Sequence, residues 1–181
     1  MPRLLVVSAT RAEAAHLPTG VDLVVTGIGK TAAAVATATA LAGRDTEDLL
    51  VLNVGTAGAL RPGLTGLFAP SAVLNHDLSA DLVRALGYDP QERLELDGGD
   101  GTVLATGDTF VTDAAVRDTL AERAHLVDME GYAVAYACRC AGVPVRLVKH
   151  VSDPADGSAL DWPEVVDRSA RVLGEWVAGL A

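Results

Sequence analysis

Residues 126–156, LVDMEGYAVAYACRCAGVPVRLVKHVSDPAD, decide how this chain is organised. A short apolar run turns acidic at Asp128-Met129-Glu130, where a helix is expected to begin. Gly142 and Pro144 close that helix, because glycine readily takes the left-handed conformation at a helix end and proline disfavours helical geometry in the residue before it. VRLVKHV then reads as a strand running out into Ser152-Asp153-Pro154. On the helix, positions 130, 133, 134, 137, 138 and 141 share one face and are Glu, Ala, Val, Ala, Cys and Ala. Glu130 therefore opens an apolar stripe expected to face a sheet. A carboxylate there is costly unless something bonds it, so it needs a buried partner or a ligand. Asp153, at a strand's carboxyl end, reads either as ordinary turn chemistry or as a group facing a ligand crevice.

Outward from this stretch the alternation of strand and helix recurs. LLVV at 4–7 reads as a buried strand, and TRAEAAHL follows with Thr10 as the N-cap of a short helix. Glu13 in its first turn suits the helix macrodipole, and equally a crevice at the end of the first strand. VDLVVT at 21–26 is a second strand, from which GIGK leads into an Ala-rich helix, TAAAVATATALAG, closed by Gly43. Gly-Lys-Thr at 29–31 is not a phosphate loop, since GxxxxGK[ST] needs glycine where Val24 stands. Gly27 and Gly29 read instead as a tight turn with close helix packing. LLVLNVGTAGAL at 49–60 is a third buried strand that breaks into a small-residue loop, Gly55, Thr56, Ala57 and Gly58, with room for a ligand against its backbone.

GLFAPSAVLNHD at 66–77 continues as strand interrupted by Pro70, with His76 and Asp77 in a surface turn. Residues 78–101 read as a surface excursion around a short helical piece, DLVRALG. TVLAT at 102–106 is a strand, after which Thr112 or Asp113 caps an amphipathic helix. Phe110, one of two Phe, either fills the core or offers a stacking face to a flat ligand. The last segment, LDWPEVVDRSARVLGEWVAGL, is an amphipathic helix with Pro163 near its start and Trp176 facing inward. Trp162 is a candidate for the roof of a pocket, with core or surface anchoring the simpler reading.

The alternation predicts an α/β fold of three layers, a mixed, mostly parallel sheet flanked by helices. At 181 residues, without a composition break, residues 1–181 are expected to form one domain. Half the residues are apolar and only 4% aromatic, so the core is built from Val, Leu and Ala. A net charge of -10 is the wrong sign for nucleic acid or an anionic membrane surface. No apolar run approaches the roughly 20 residues of a membrane span, so a cytoplasmic protein is expected. Cys138 and Cys140, two apart on a helix, point to different faces and suit neither a disulfide nor a zinc pair; they read as buried small hydrophobes.

Three carboxylates, Glu13, Glu130 and Asp153, thus fall at element ends with no Cys or His cluster beside them, and acid–base chemistry without metal or cofactor is expected. Cleavage through an oxocarbenium-like transition state needs an acid at the leaving group, a base for water and acceptors for sugar hydroxyls, roles that three carboxylates can divide. TGIGKTAAAVATATAL, VLNVGTAGAL, ATGDTFV, VDMEGYAVAYACRCAGVPV and VSDPAD, in that order along nearly the whole chain, resemble the nucleoside phosphorylase and nucleosidase superfamily, most of all its methylthioadenosine/S-adenosylhomocysteine nucleosidases.

The resemblance implies hydrolysis of the N-glycosidic bond of a purine nucleoside, a small-molecule partner and a homodimer. By the same resemblance Glu13 activates water, and Asp153, held by Ser152, protonates N7 of the departing purine. An acid at a desolvated strand end can be raised enough to be protonated near neutral pH. Glu130 would accept both ribose hydroxyl hydrogens with Met129 under the sugar. Phe110 and the backbone of Val111 would meet the base, and Thr56, Ala57 and Gly58 would complete the substrate-binding set. Asn53 stands where hexameric phosphorylases carry Arg, as it does in the nucleosidases, which leaves Arg11 as the candidate phosphate ligand of a phosphorylase reading. The chain is short around 75–101, where relatives build the pocket for the 5′ substituent, often with a neighbouring subunit. A futalosine-type hydrolase, action on a plain nucleoside and a non-catalytic nucleoside-binding protein stand as alternatives. Asp128, where many relatives have Glu, and Lys149-His150, in place of a more apolar or Arg-containing pair, have no consequence assigned from sequence.

Overall fold

The computed structural model describes residues 2–180; Met1, Ala181 and the side chain of Pro163 lie outside the described residues. The chain runs β1 (Arg3–Ser8), β2 (Asp22–Val25), α1 (Lys30–Leu41), β3 (Leu49–Ala59), β4 (Leu67–Phe68), β5 (Ala72–Asn75), α2 (Ala80–Ala85), β6 (Arg93–Glu95), β7 (Val103–Thr106), α3 (Ala114–Ala121), β8 (Leu126–Asp128), α4 (Gly131–Ala141), β9 (Val145–Asp153), a 3₁₀ turn at Gly157–Asp161 and α5 (Trp162–Ala178). The strands join in one sheet of order β2-β1-β3-β8-β7-β5-β6, with β9 paired to both β3 and β4. Five strand pairs are parallel and three, β3–β8, β4–β9 and β5–β6, are antiparallel. This is the mixed, mostly parallel architecture that the alternation of strands and helices predicts.

The layers follow from the period-2 alternation of strands that are apolar on both faces. Leu5, Val7 and Val51 point to one side and pack with Ala33 and Leu41 of α1 and Val134 and Cys138 of α4. Val6, Leu52, Val54 and Val148 point to the other and meet Leu173 and Val177 of α5. Trp176 joins that second cluster as a partly buried side chain, in line with its inward reading. α4 is buried more widely than a single stripe. Residues 131–135 are all buried, because Val134 and Cys138 face α1 while Tyr132 and Ala135 pack on Leu104 and Leu147 of the sheet. Ala141 is exposed, so the buried face ends a turn early, and Cys140 is exposed too, which corrects the reading of both cysteines as buried.

β3 is the hub. It pairs with β1 through Leu49–Asn53, with β9 from Val51 to Gly58, and with β8 at Gly58 and Ala59. The small-residue run expected to be a loop is therefore strand, with a register shift between Ala57 and Gly58. Its small residues serve close approach: a Cβ on Gly58 would lie 2.9 Å from Ala155 Cβ and 3.1 Å from Asp153 Oδ1. The segment TRAEAAHL is a turn, not the short helix expected. Thr10 and Glu13 nevertheless bond reciprocally as a capping box does, Thr10 N–H to Glu13 Oε2 at 3.2 Å and Glu13 N–H to Thr10 Oγ1 at 3.1 Å.

Pro70 separates β4 from β5, the segment 78–101 contributes edge strand β6, and Asp113, not Thr112, caps α3 through Ala115 N–H and Val116 N–H. No helix among the described residues is long and apolar enough to cross a membrane.

Candidate active site

β1, β3 and β9 run parallel, so their carboxyl ends open on the same side of the sheet, which is where open α/β sheets hold ligands. A cavity of about 300 Å³ lies there. Glu13, from the turn after β1, and Thr56, Ala57 and Gly58, from β3, line it. So do Phe110 and Val111 after β7, Met129 and Glu130 at the start of α4, and Ser152 and Asp153 at the end of β9. All ten residues singled out in the sequence are thus brought to one cavity. Phe110 is 46% exposed, so of its two readings the core-filling one fails. Ile28, Leu160 and Trp162 complete an apolar rim. A larger cavity, about 570 Å³, lies behind Ser152–Pro154 and is lined by Arg61, Arg117 and Arg168; of the three carboxylates it touches only Asp153.

Each carboxylate is held by donors from a different part of the chain. Glu13 Oε1 accepts from Thr56 N–H at 2.8 Å and Thr56 Oγ1–H at 2.9 Å, and Oε2 accepts from Thr10 N–H and, at 3.1 Å, Thr10 Oγ1–H. Gly55 makes the approach possible, since a Cβ there would stand 3.0 Å from Glu13 Oε1. Glu130 is the N-cap residue of α4, and its Oε1 accepts from Gly29 N–H at 2.8 Å. Gly29 has φ +95°, a conformation open to glycine and strained for other residues, and that geometry presents its N–H to the carboxylate. The GIGK turn therefore feeds the site through a backbone donor. Lys30 is a clamp: its ammonium bonds Asn75 and Asp77, and its N–H bonds Asp108 at 2.7 Å. Asp153 accepts from Ser152 Oγ–H at 2.6 Å and from Ala155 N–H at 2.9 Å.

At the floor of the cavity, which Asp128 helps to line, sits an ion pair without a role in the sequence reading. Lys149 Nζ sits 2.9 Å from Asp128 Oδ2, with 2% and 1% of the two side chains exposed. Thr106 Oγ1–H and Gly131 N–H also donate to Asp128, at 2.5 and 2.9 Å. Burial alone would lower the pKa of the Lys149 ammonium. The carboxylates of Asp128, Glu130 and Glu13 outweigh it and hold the pKa above its ordinary value. For Glu130, burial first and the Asp128 charge second push the carboxyl up from 4.5 to about 7, against the pull of Lys149 and the Gly29 N–H. The one signal for this pair in the sequence is a lysine inside VRLVKHV, a strand that pairs on both edges and is otherwise mostly apolar.

Two residues named for phosphate chemistry stay outside. Asn53 is 1% exposed and its amide donates to Val7 O at 3.1 Å, within the sheet. Arg11 is exposed and does not line the cavity. Among the described residues no Arg, Lys or His lines it. Nor, among them, does any group of three or more His, Cys, Asp or Glu come together as a metal site.

A family model described as "Phosphorylase superfamily" matches residues 19–180. The chain is 34% identical to a futalosine hydrolase of Streptomyces coelicolor, over 91% of this chain and 77% of that protein. It is 29% identical to a 5′-methylthioadenosine/S-adenosylhomocysteine nucleosidase of Staphylococcus epidermidis, over 87% and 79%. Its fold is similar to that of a mutant Helicobacter pylori nucleosidase of the same name, solved with 5′-methylthioadenosine in its active site. The TM-score is 0.84 at 22% identity, covering 99% of this chain and 98% of that one.

Two outcomes follow from the buried charges. Lys149→Met strands the Asp128 carboxylate in the interior and should cost about 3–5 kcal/mol, read as a fall in the urea midpoint; a loss under about 1 kcal/mol contradicts the pairing. Glu130 titrates lower in the unfolded chain than in the folded one, so the unfolded chain loses its proton first as pH rises and stability declines between about 4.5 and 7. A rise of that size corresponds to on the order of 3 kcal/mol. Glu130→Gln should therefore be more stable than the parent at pH 8, with the advantage shrinking below pH 5. An advantage that is the same at both pH values argues against a raised Glu130.

Proposed function

The chain belongs to the phosphorylase superfamily, and on that footing we propose that it is an N-ribosyl hydrolase, splitting the glycosidic bond of a purine nucleoside of the methylthioadenosine/adenosylhomocysteine kind. Residues 1–181 are taken as one such domain, a reading supported by the match over 19–180. The observation that carries hydrolysis over phosphorolysis is the cavity's lining, which holds four carboxylates, Glu13, Asp128, Glu130 and Asp153, and, among the described residues, no cationic side chain. A phosphate dianion brought there would meet like charge, whereas a neutral nucleoside and water would meet hydrogen-bond acceptors.

The steps divide among the carboxylates. Asp153 gives its proton to N7 of the purine as the C1′–N9 bond lengthens and its electron pair moves into the ring, leaving an oxocarbenium-like ribosyl cation. Ser152 suits both states of this acid. Its hydroxyl donates to the ionised carboxylate at 2.6 Å, and it can turn toward Ala57 O, 3.5 Å away, to accept from the protonated one. Glu13 takes a proton from water as the oxygen bonds to C1′, which completes the free base and the ribose derivative. Glu130 spends Oε1 on Gly29 N–H and keeps Oε2 for the ribose diol. Met129 lies under the sugar, and Phe110, with the Val111 backbone, offers the base a flat apolar wall.

The 34% identity to a futalosine hydrolase supports a second choice of 5′ substituent on the same chemistry. A homodimer is part of the proposal. Val35 on α1 and Leu82, Leu86 and Tyr88 at α2 are each more than 60% exposed, the kind of apolar surface that a subunit interface covers.

Base release from methylthioadenosine, adenosylhomocysteine, futalosine, adenosine and inosine, with and without phosphate, tests the function. Free sugar formed without phosphate is expected; strict phosphate dependence makes the protein a phosphorylase, and tight binding without turnover makes it a binding protein. Asp153→Asn should lower kcat by roughly 10²–10⁴, the worth of a positioned general acid, with less effect on binding. Light scattering should return twice the 18.6 kDa chain mass, and a monomer at assay concentration rejects the dimer.

A further inference from the structure

Trp162, the first residue of α5, reaches across the cavity mouth to a residue 106 positions earlier: its indole Nε1–H donates to Thr56 Oγ1 at 2.9 Å. An indole N–H can only donate. The Thr56 hydroxyl must therefore accept from it, and its single proton is left to point at Glu13 Oε1, 2.9 Å away. Thr56 N–H meets the same oxygen at 2.8 Å, so both donors of one residue converge on one carboxylate oxygen. On the other oxygen, Thr10 repeats the pattern. Its hydroxyl accepts from Glu13 N–H at 3.1 Å, which leaves its proton for Oε2. Both hydroxyls around Glu13 thus have their direction set by a donor behind them, a backbone N–H on one side and Trp162 on the other. Without the indole N–H the Thr56 hydroxyl is a rotor, free to turn its proton away from Glu13 and toward water.

From this chain of bonds we infer that Trp162 is a positioning residue for Glu13, acting through Thr56 to hold the base's carboxylate in the orientation that receives a proton from water. The inference rests on the reading of Glu13 as that base. It separates two jobs of one side chain: the ring, with Leu160, roofs the cavity and excludes water, while the N–H orients a group on the far wall. The 3₁₀ turn at Gly157–Asp161 and the start of α5 are coupled to the base in this way, since Trp162 is in place only when that segment is docked over the site.

Trp162→Phe keeps an aromatic roof and deletes only the donor. Steady-state kinetics of the hydrolysis should show kcat reduced about 3- to 10-fold, the usual worth of one positioned neutral hydrogen bond, with KM within about twofold. In a Thr56→Val background, where the relay is already cut, the same substitution should leave kcat unchanged. Glu13→Gln, run alongside, separates this inference from the reading beneath it. If Glu13→Gln turns over at the parental rate, Glu13 is not the base and both fall. If Glu13→Gln is inactive, two results overturn the role of Trp162 alone. One is full kcat in Trp162→Phe, and the other is an equal loss from that substitution with and without Thr56→Val. A raised KM beside that full kcat means that the ring serves only as a lid over the substrate.

Discussion

The interaction on which the rest depends is the contact between the Lys149 ammonium and the Asp128 carboxylate, made where water has almost no access. Lys149 lies on β9 and Asp128 at the end of β8, two strands that share no pairing of their own and meet only through β3. The pair ties them together at the cavity floor. Asp128 also takes Gly131 N–H, the first residue of α4, and Thr106 Oγ1–H from β7, and Thr106 Oγ1 accepts in turn from Tyr132 N–H. One carboxylate thereby fixes where α4 begins, and the start of α4 is where Glu130 sits. A buried pair of this kind seldom adds net stability over well-packed apolar residues, since desolvation of both ions opposes their attraction. Its value here lies in specifying geometry.

The same pair sets the charge balance of the cavity. Asp128, Glu130 and Glu13 crowd one region with a single ammonium among them, and the repulsion appears as a Glu130 carboxyl lifted toward neutrality. Dense hydrogen bonding and one shared ammonium, that of Lys149, hold these acids at close quarters. Gly29, Thr10, Thr56, Ser152 and Ala155 each donate to a carboxylate, and four of these five residues supply a backbone N–H. Backbone donors are tied to the sheet and its turns, so the acids inherit the rigidity of the fold.

Much of this was legible in the sequence, for identifiable reasons. Apolar runs of four to eight residues between glycine turns mark strands buried on both faces, and the Ala-rich stretch from Lys30 to Leu41 marks a helix that packs closely. The carboxylates Glu13, Glu130 and Asp153 stood out because each falls at the end of an element, where a parallel sheet presents its ligands. Less was legible where local and long-range preference disagree. Thr10 and Glu13 have the spacing of a capping box, yet the helix they announce does not form, because Glu13 is pulled to Thr56 on a neighbouring strand. Gly55 through Gly58 look like a loop, yet the strand continues, because β8 and β9 press so closely that only small residues fit.

Periodicity, turn chemistry and the placement of acids at strand ends are local properties, so the sequence by itself determined the α/β layering, the main elements and the three carboxylates, while Val111, Met129 and Ser152 came from the resemblance to a family. Contacts between residues far apart in the chain are not local, and only the tertiary structure decided those. Lys149 is one lysine in a strand until Asp128 is brought to 2.9 Å, and Trp162 is an aromatic at a helix start until its indole meets Thr56. Hydrogen bonds and ion pairs act over a few ångströms with strict direction, and no spacing along a chain of 181 residues encodes such a distance.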